Sequence, residues 1–143
     1  VEVHAVGSSI VDPEIGKAGD VDTAAVLLKT ASGKICQISC SRRATYGYDQ
    51  RIEVHGSKGL LTAGNVLETT VKFASKSGIA ADPVQNFFLE RYEAAYRNEL
   101  NAFIDAVVRK KKPNPSGFDG LQALVLADAA QKSHDTGKAV KLG

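Results

Sequence analysis

The stretch Thr45-Tyr46-Gly47-Tyr48-Asp49-Gln50 puts two of the chain's four tyrosines and a carboxylate side by side. A phenol lays its ring against carbon while its hydroxyl donates or accepts a hydrogen bond, so such a loop suits a polyol. If the preceding strand continues, Tyr46 and Tyr48 are two apart and share a face. The other two tyrosines, Tyr92 and Tyr96, are one helical turn apart. Edge packing by aromatics without any ligand is the competing reading, and composition does not separate the two.

The remaining reactive side chains carry less. Cys36 and Cys40 are four apart in a β-compatible run, which spans roughly 13 Å, beyond the ~7 Å that a disulfide tolerates between Cα atoms. They read as buried small hydrophobes. His4, His55 and His134 fall on separate elements without zinc spacing. Gly56-Ser57-Lys58-Gly59 leads into Leu60-Leu61-Thr62, a strand, whereas a phosphate cradle opens a helix. Arg109 to Lys112 reads as a solvated helix end. A phosphate-binding patch would need more cations and exposed aromatic platforms.

The elements that must position these residues change period along the chain. Val1, Val3 and Ala5 alternate with polar residues, and Asp22 to Thr30 and Lys34 to Arg43 are β-compatible runs joined through Ala31-Ser32-Gly33. Val11 to Asp22 reads as a loop. Gln50 to Val54 and Leu60 to Thr62 form a second hairpin, and Thr69 to Ala74 adds a strand. From Phe88, apolar residues at Tyr92, Tyr96, Leu100, Phe103 and Val107 follow helical spacing up to Arg109-Lys110-Lys111-Lys112-Pro113. Ser116 or Asp119 caps a second helix that ends at Gly137, and Ala139 to Leu142 suits a last short strand. Strands first and helices second predict an α+β fold, with an open, mainly antiparallel sheet and both helices packed on one face.

Composition bounds the class. The 143 residues are 43% hydrophobic and 24% charged with a net charge of +2, one domain's worth of chain without the basic field of a nucleic-acid binder. No apolar run approaches the roughly 18–20 residues that span a bilayer, and no charged-then-apolar leader is visible. Two cysteines are too few for a disulfide scaffold, which makes the cytoplasm the expected compartment. A chain that begins with Val and contains no Met reads as a piece of a longer protein.

Three strings in this order carry a resemblance. They are Tyr46 to Gly59, Arg91 to Phe103 (RYEAAYRNELNAF), and Asp119-Gly120-Leu121 through Asp128-Ala129 to Thr136-Gly137-Lys138. Together they resemble the inositol 2-dehydrogenase branch of the glucose–fructose oxidoreductase, inositol dehydrogenase and MocA superfamily, over essentially the whole chain. The resemblance implies that residues 1–143 are a single substrate-binding and oligomerisation domain from the C-terminal part of such an enzyme. It implies oxidation of a ring hydroxyl to a ketone in the intact protein, with NAD (or NADP) held by an N-terminal domain outside this chain. No Gly-x-Gly-x-x-Gly/Ala fingerprint, Glu-Lys-Pro motif, or Asp and His four apart on a helix occurs here. The segment alone is therefore expected to be inactive, without catalytic, cofactor-binding or metal-binding residues. Tyr46 and Tyr96 align with tyrosines that line the substrate cleft, and Tyr48 and Asp49 join them as substrate-binding neighbours. The implied partners are a small polyol or sugar and further copies of the chain, as dimers or tetramers through the sheet, with no nucleic acid and no membrane. A non-enzymatic protein-interaction module, with the tyrosine loop as its contact patch, is the alternative.

Overall fold

The computed structural model describes residues 1–143. In chain order the elements are β1 (Glu2–Ser8), α1 (Pro13–Lys17), β2 (Thr23–Lys29), β3 (Ile35–Ser41), β4 (Ile52–Gly56), β5 (Gly59–Ala63), β6 (Lys72–Ser75), β7 (Gly78–Ala81), α2 (Phe88–Val108), α3 (Gly117–Thr136) and β8 (Val140–Lys141). All strand pairings are antiparallel, as the α+β reading expects. The chain divides into two compact units, Val1–Arg43 with Lys112–Gly143, and Ala44–Lys111.

The first unit is a four-stranded sheet of order β3-β2-β1-β8 with α3 on it. Register places Val3 opposite Leu28, Ala5 opposite Val26, and Val26 opposite Ile38, so one face collects apolar residues. Helix α3 turns Leu126, Ala129, Ala130 and Ser133 inward, while Asp128 and Lys132 face out. Small residues at this spacing let the helix approach β1 closely, and Val3, Ala5 and Ala129 are buried at the contact. Strand β8 pairs only with Glu2 and Val3. Further along β1, where β8 no longer reaches, Ser133 Oγ accepts the Ala5 N–H at 2.9 Å, both groups being buried. A buried N–H left without that partner would cost about 1–3 kcal/mol.

Local signals at the helix ends act as the sequence predicts. Ser116 Oγ accepts the Asp119 N–H at 3.4 Å, and Asp119 accepts the Ser116 N–H at 2.7 Å, a reciprocal cap. Gly137 closes α3 at φ +65°. Helix α2 stops at Arg109, with Lys110 at φ +52° and the Lys111 N–H reaching back to the Ala106 carbonyl at 2.8 Å.

Three expectations are corrected. The loop Val11 to Asp22 contains α1, capped by Asp12 with Pro13 at its first position. Cys36 and Cys40 are exposed, because α3 lies over β1 and β8 and leaves the edge strand β3 uncovered. The strand expected over Thr69 to Ala74 is β6, shifted to Lys72–Ser75 and paired with β7, which the sequence pattern did not reveal. The strands form three separate sheets, with β4-β5 and β6-β7 each a two-stranded hairpin in the second unit together with α2.

Asp22 pins the loop that leaves β1. Its carboxylate accepts the N–H groups of Ile10, Val11 and Asp12 at 3.1, 2.8 and 2.8 Å and the Thr23 hydroxyl at 2.9 Å. Burial alone would raise its pKa, but these donors outweigh it and hold the carboxyl below its ordinary value. The contribution to stability is therefore complete above the unfolded pKa of about 4 and is lost as pH falls through the lower folded value. Asp22→Asn is expected to lower the denaturation midpoint at pH 7 and to flatten the acid limb of the stability profile below about pH 4. Chemical denaturation of both forms across that range checks this, and an unchanged acid limb contradicts the assignment.

Candidate functional site

All four tyrosines lie in the unit Ala44–Lys111. Strand β3 ends at Ser41, and Thr45–Tyr46 form a turn. Tyr46 and Tyr48 consequently do not share a face by strand alternation, and they meet different partners. The Tyr46 hydroxyl donates to Asp49 Oδ2. The Tyr48 ring meets the edge of Tyr92 at 5.5 Å between centroids, and Tyr92 meets Tyr96 at 6.0 Å, both nearly perpendicular. These are favourable edge-to-face geometries. Helix α2 places Tyr92 and Tyr96 on one face because they are four residues apart.

The loop is held from behind. The Tyr48 N–H donates to the Gln85 carbonyl at 2.8 Å, and the Gln85 N–H donates to the Val66 carbonyl at 2.9 Å. Residues 83–85 thus lie between the tyrosine loop and residues 66–68, where Leu67 also bridges Val84. Gly47, at φ +129°, passes so close to this segment that a Cβ would sit 2.7 Å from the Val84 carbonyl oxygen. Glycine is required there for both conformation and space.

Asp49 is the polar centre. Its Oδ1 accepts from Arg51 Nε and from Asn65 Nδ2, each at 2.8 Å, and its Oδ2 accepts from Arg51 Nη2 at 2.9 Å besides the phenol. Asn65 is oriented in turn by accepting the Gln50 N–H at 2.8 Å. The Arg51 guanidinium, then the Tyr46 and Asn65 hydrogen bonds, hold the Asp49 carboxyl far below its ordinary range. The same bond to Asp49 pushes the Tyr46 phenol up. Tyr92 is pushed up first by the Tyr48 phenol beside it and then by burial.

Of the residues singled out in the sequence, the structure groups Tyr46 with Asp49, and Tyr48 with Tyr96 through Tyr92. Tyr46 belongs to neither aromatic pair, so the two groups are joined by the backbone of residues 46–49. Tyr46 and Tyr96 are 54% and 50% exposed. Sequence reasoning passed over Tyr92, Arg51, Asn65 and Gly47. Tyr92 was within reach, since its spacing to Tyr96 was already visible. Arg91 was also missed: its guanidinium carbon lies 5.7 Å from the Tyr92 centroid, and its Nε is buried without a partner.

None of these residues lines the apolar groove of about 430 Å³ in the other unit. Its walls include Val26, Leu28, Ile38, Leu126 and Ala130, with His134 and Gln131 among its few polar members. Such walls suit hydrocarbon and offer a polyol few hydrogen-bond partners. No group of three or more His, Cys, Asp or Glu could hold a metal ion.

The antiparallel α+β architecture is shared with the C-terminal domain of an oxidoreductase family. The model of the "Oxidoreductase family, C-terminal alpha/beta domain" matches residues 2–142, and the chain belongs to this glucose–fructose oxidoreductase, inositol dehydrogenase and MocA family. It is 53% identical over 141 residues to the myo-inositol 2-dehydrogenase of Thermotoga maritima, covering 99% of this chain and 42% of that protein. The crystal structure described as a putative myo-inositol dehydrogenase from Sinorhizobium meliloti superposes with a TM-score of 0.94 at 48% identity, covering 100% of this chain and 44% of that one. A scyllo-inositol dehydrogenase from Lactobacillus casei, solved with bound NAD(H) and scyllo-inositol, gives 0.85 at 28% identity, covering 97% and 41%. The chain thus spans roughly two-fifths of the length of the relatives it matches.

The glycine turn weighed as a phosphate cradle, Gly56–Gly59, is a hairpin that joins β4 to β5. Helix α2 opens at Phe87 without a side-chain cap, and the first turn of α3 carries Asp119, whose charge opposes an anion.

Gly47→Ala is expected to cost about 2 kcal/mol or more through overpacking and an unfavourable φ. Urea unfolding measures it. An unchanged midpoint would show that the loop does not need the close approach to Val84.

Proposed function

We propose that this chain serves as the substrate-binding and oligomerisation domain, residues 1–143, of an NAD-dependent inositol (or related sugar) 2-dehydrogenase. In the intact enzyme a ring hydroxyl is oxidised to a ketone, and the NAD (or NADP) that accepts the hydride is held by an N-terminal domain that this chain does not include. The observation that carries this reading is that Tyr46, on the braced loop, and Tyr96, linked to that loop through Tyr92 and Tyr48, are both about half exposed in a chain of this family. Tyr46 and Tyr96 touch ring hydroxyls, with Tyr48 and Asp49 as their neighbours, and so present one ring carbon for oxidation. The chain supplies position, and the general base lies elsewhere in the enzyme. Alone it neither turns over substrate nor binds NAD.

Apolar side chains support pairing of subunits. Ile52, Val54 and Leu61 share one face of the β4-β5 hairpin and are all more than half exposed, an apolar patch of the kind that marks interfaces. Homodimers or homotetramers formed through the sheets fit this. No helix is long and apolar enough to cross a membrane, and a cytoplasmic site of action, in inositol catabolism, goes with the reading. The same patch and the exposed tyrosines also favour a second reading, a protein-interaction module without an enzymatic parent activity.

Tyr46→Phe in the full-length enzyme is expected to raise KM for inositol roughly tenfold, the scale of one lost hydrogen bond, with NAD affinity unchanged. Steady-state kinetics with inositol and with NAD decide this, and an unchanged inositol KM removes Tyr46 from the substrate contacts. Calorimetric titration of residues 1–143 with NAD is expected to give no binding heat. Micromolar binding would place the cofactor site within this chain.

A further inference from the structure

We infer that Asp49 acts through Tyr46, committing the phenol proton, so that Tyr46 meets its ligand only as a hydrogen-bond acceptor. An ionised carboxylate offers about four lone-pair sites. Arg51 Nε, Arg51 Nη2, Asn65 Nδ2 and the Tyr46 hydroxyl fill them, which leaves Asp49 nothing for a ligand. Asp49 is also the shielded member, its side chain 20% exposed against 54% for Tyr46. Asn65 cannot turn its amide without losing both its bond to Asp49 and the Gln50 N–H. Arg51 adds a two-pronged charge-assisted pair, the geometry that holds a carboxylate most rigidly. The whole cluster therefore fixes one variable, the direction of a single phenolic hydrogen.

A phenol has one hydrogen to donate and two lone pairs to accept with. With its hydrogen held on Asp49, Tyr46 turns lone pairs to solvent, and the group it recognises must donate. A ligand hydroxyl does so. A ketone, an ether oxygen or a fluorine at the same place would set acceptor against acceptor and leave both unpaired. Asp49 is thus a positioning residue that makes Tyr46 select a hydroxyl over its oxidised or alkylated counterparts. This rests on the reading of Tyr46 as a ligand contact. The upward shift of the Tyr46 phenol pKa has the same origin, the hydrogen bond to Asp49.

The test uses the full-length enzyme with 13Cζ-labelled tyrosine, the Tyr46 resonance being identified by its loss in Tyr46→Phe. Asp49→Asn is expected to move the Tyr46 titration down toward the ordinary value of about 10 and to raise KM for inositol several-fold with little change in kcat. In the Tyr46→Phe background, Asp49→Asn is expected to add almost nothing to KM. A monofluoro-inositol that replaces the contacted hydroxyl is expected to bind no better than the corresponding deoxy-inositol. A KM rise that persists in the Tyr46→Phe background, or a Tyr46 titration indifferent to Asp49→Asn, overturns the proposal. If instead Tyr46→Phe leaves KM unchanged while the phenol still responds to Asp49→Asn, the tether stands and the reading of Tyr46 as a ligand contact fails. Should Asp49→Asn not fold, Arg51→Gln removes a cation while keeping the carboxylate on the phenol. It is expected to push the Tyr46 titration further up, and a downward move counts against the tether.

Discussion

A strand that ends or turns away leaves N–H and C=O groups without their ladder partners, and a buried backbone group cannot go unpaired. In this chain polar side chains take over where the short strands stop. Ser133 reaches from α3 to the Ala5 N–H beyond the end of β8. Asp22 gathers three successive N–H groups as the chain leaves β1. Asn65 takes the Gln50 N–H just before β4 begins. Ser133 joins α3 to the sheet, Asp22 fixes the loop that leaves β1, and Asn65 ties Asp49 and Gln50 to the far end of the β4-β5 hairpin.

Little apolar surface is fully enclosed. Val3, Ala5 and Ala129 are the buried apolar residues, all at the contact of α3 with the sheet. Close approach by small side chains gives that contact its precision, while the faces of β3 and of the two hairpins stay open. A chain that covers about two-fifths of its relatives and keeps such faces accessible is well suited to the subunit pairing proposed above.

The two halves of the candidate site work by different physics. Tyr48, Tyr92 and Tyr96 form a row of edge-to-face rings, which sets where carbon surfaces can lie but directs hydrogen bonds only loosely. Tyr46 belongs to a saturated ionic cluster in which every donor has one address. A ring-shaped polyol presents both carbon edges and hydroxyls, which is why the proposed reading draws on both the row and the phenol. Arg51 and Asn65 complete the cluster from the start of β4 and from just beyond β5, so the hairpin is what brings them to Asp49.

Features written within about four residues were legible in the sequence alone. The Ser116–Asp119 cap, the stop at Arg109–Pro113, Gly137, the Gly56–Gly59 turn and the tyrosine spacing on α2 all act through near neighbours, so their residue types announce them. The antiparallel α+β class followed from the order of the periodicities, and the three strings beginning at Tyr46, Arg91 and Asp119 carried the family. Tertiary structure decided the rest. The exposure of Cys36 and Cys40 depends on where α3 lies, and the division into three sheets depends on which strands pair. The ending of β3 at Ser41 separates Tyr46 from Tyr48, and Gly47 matters only because Val84 arrives beside it. Asp49 reads from the sequence as a substrate-binding neighbour, and the partner that closes its last site, Asn65, lies 16 positions away. Contacts between residues far apart in the chain leave no periodic trace, because either partner alone is compatible with many folds.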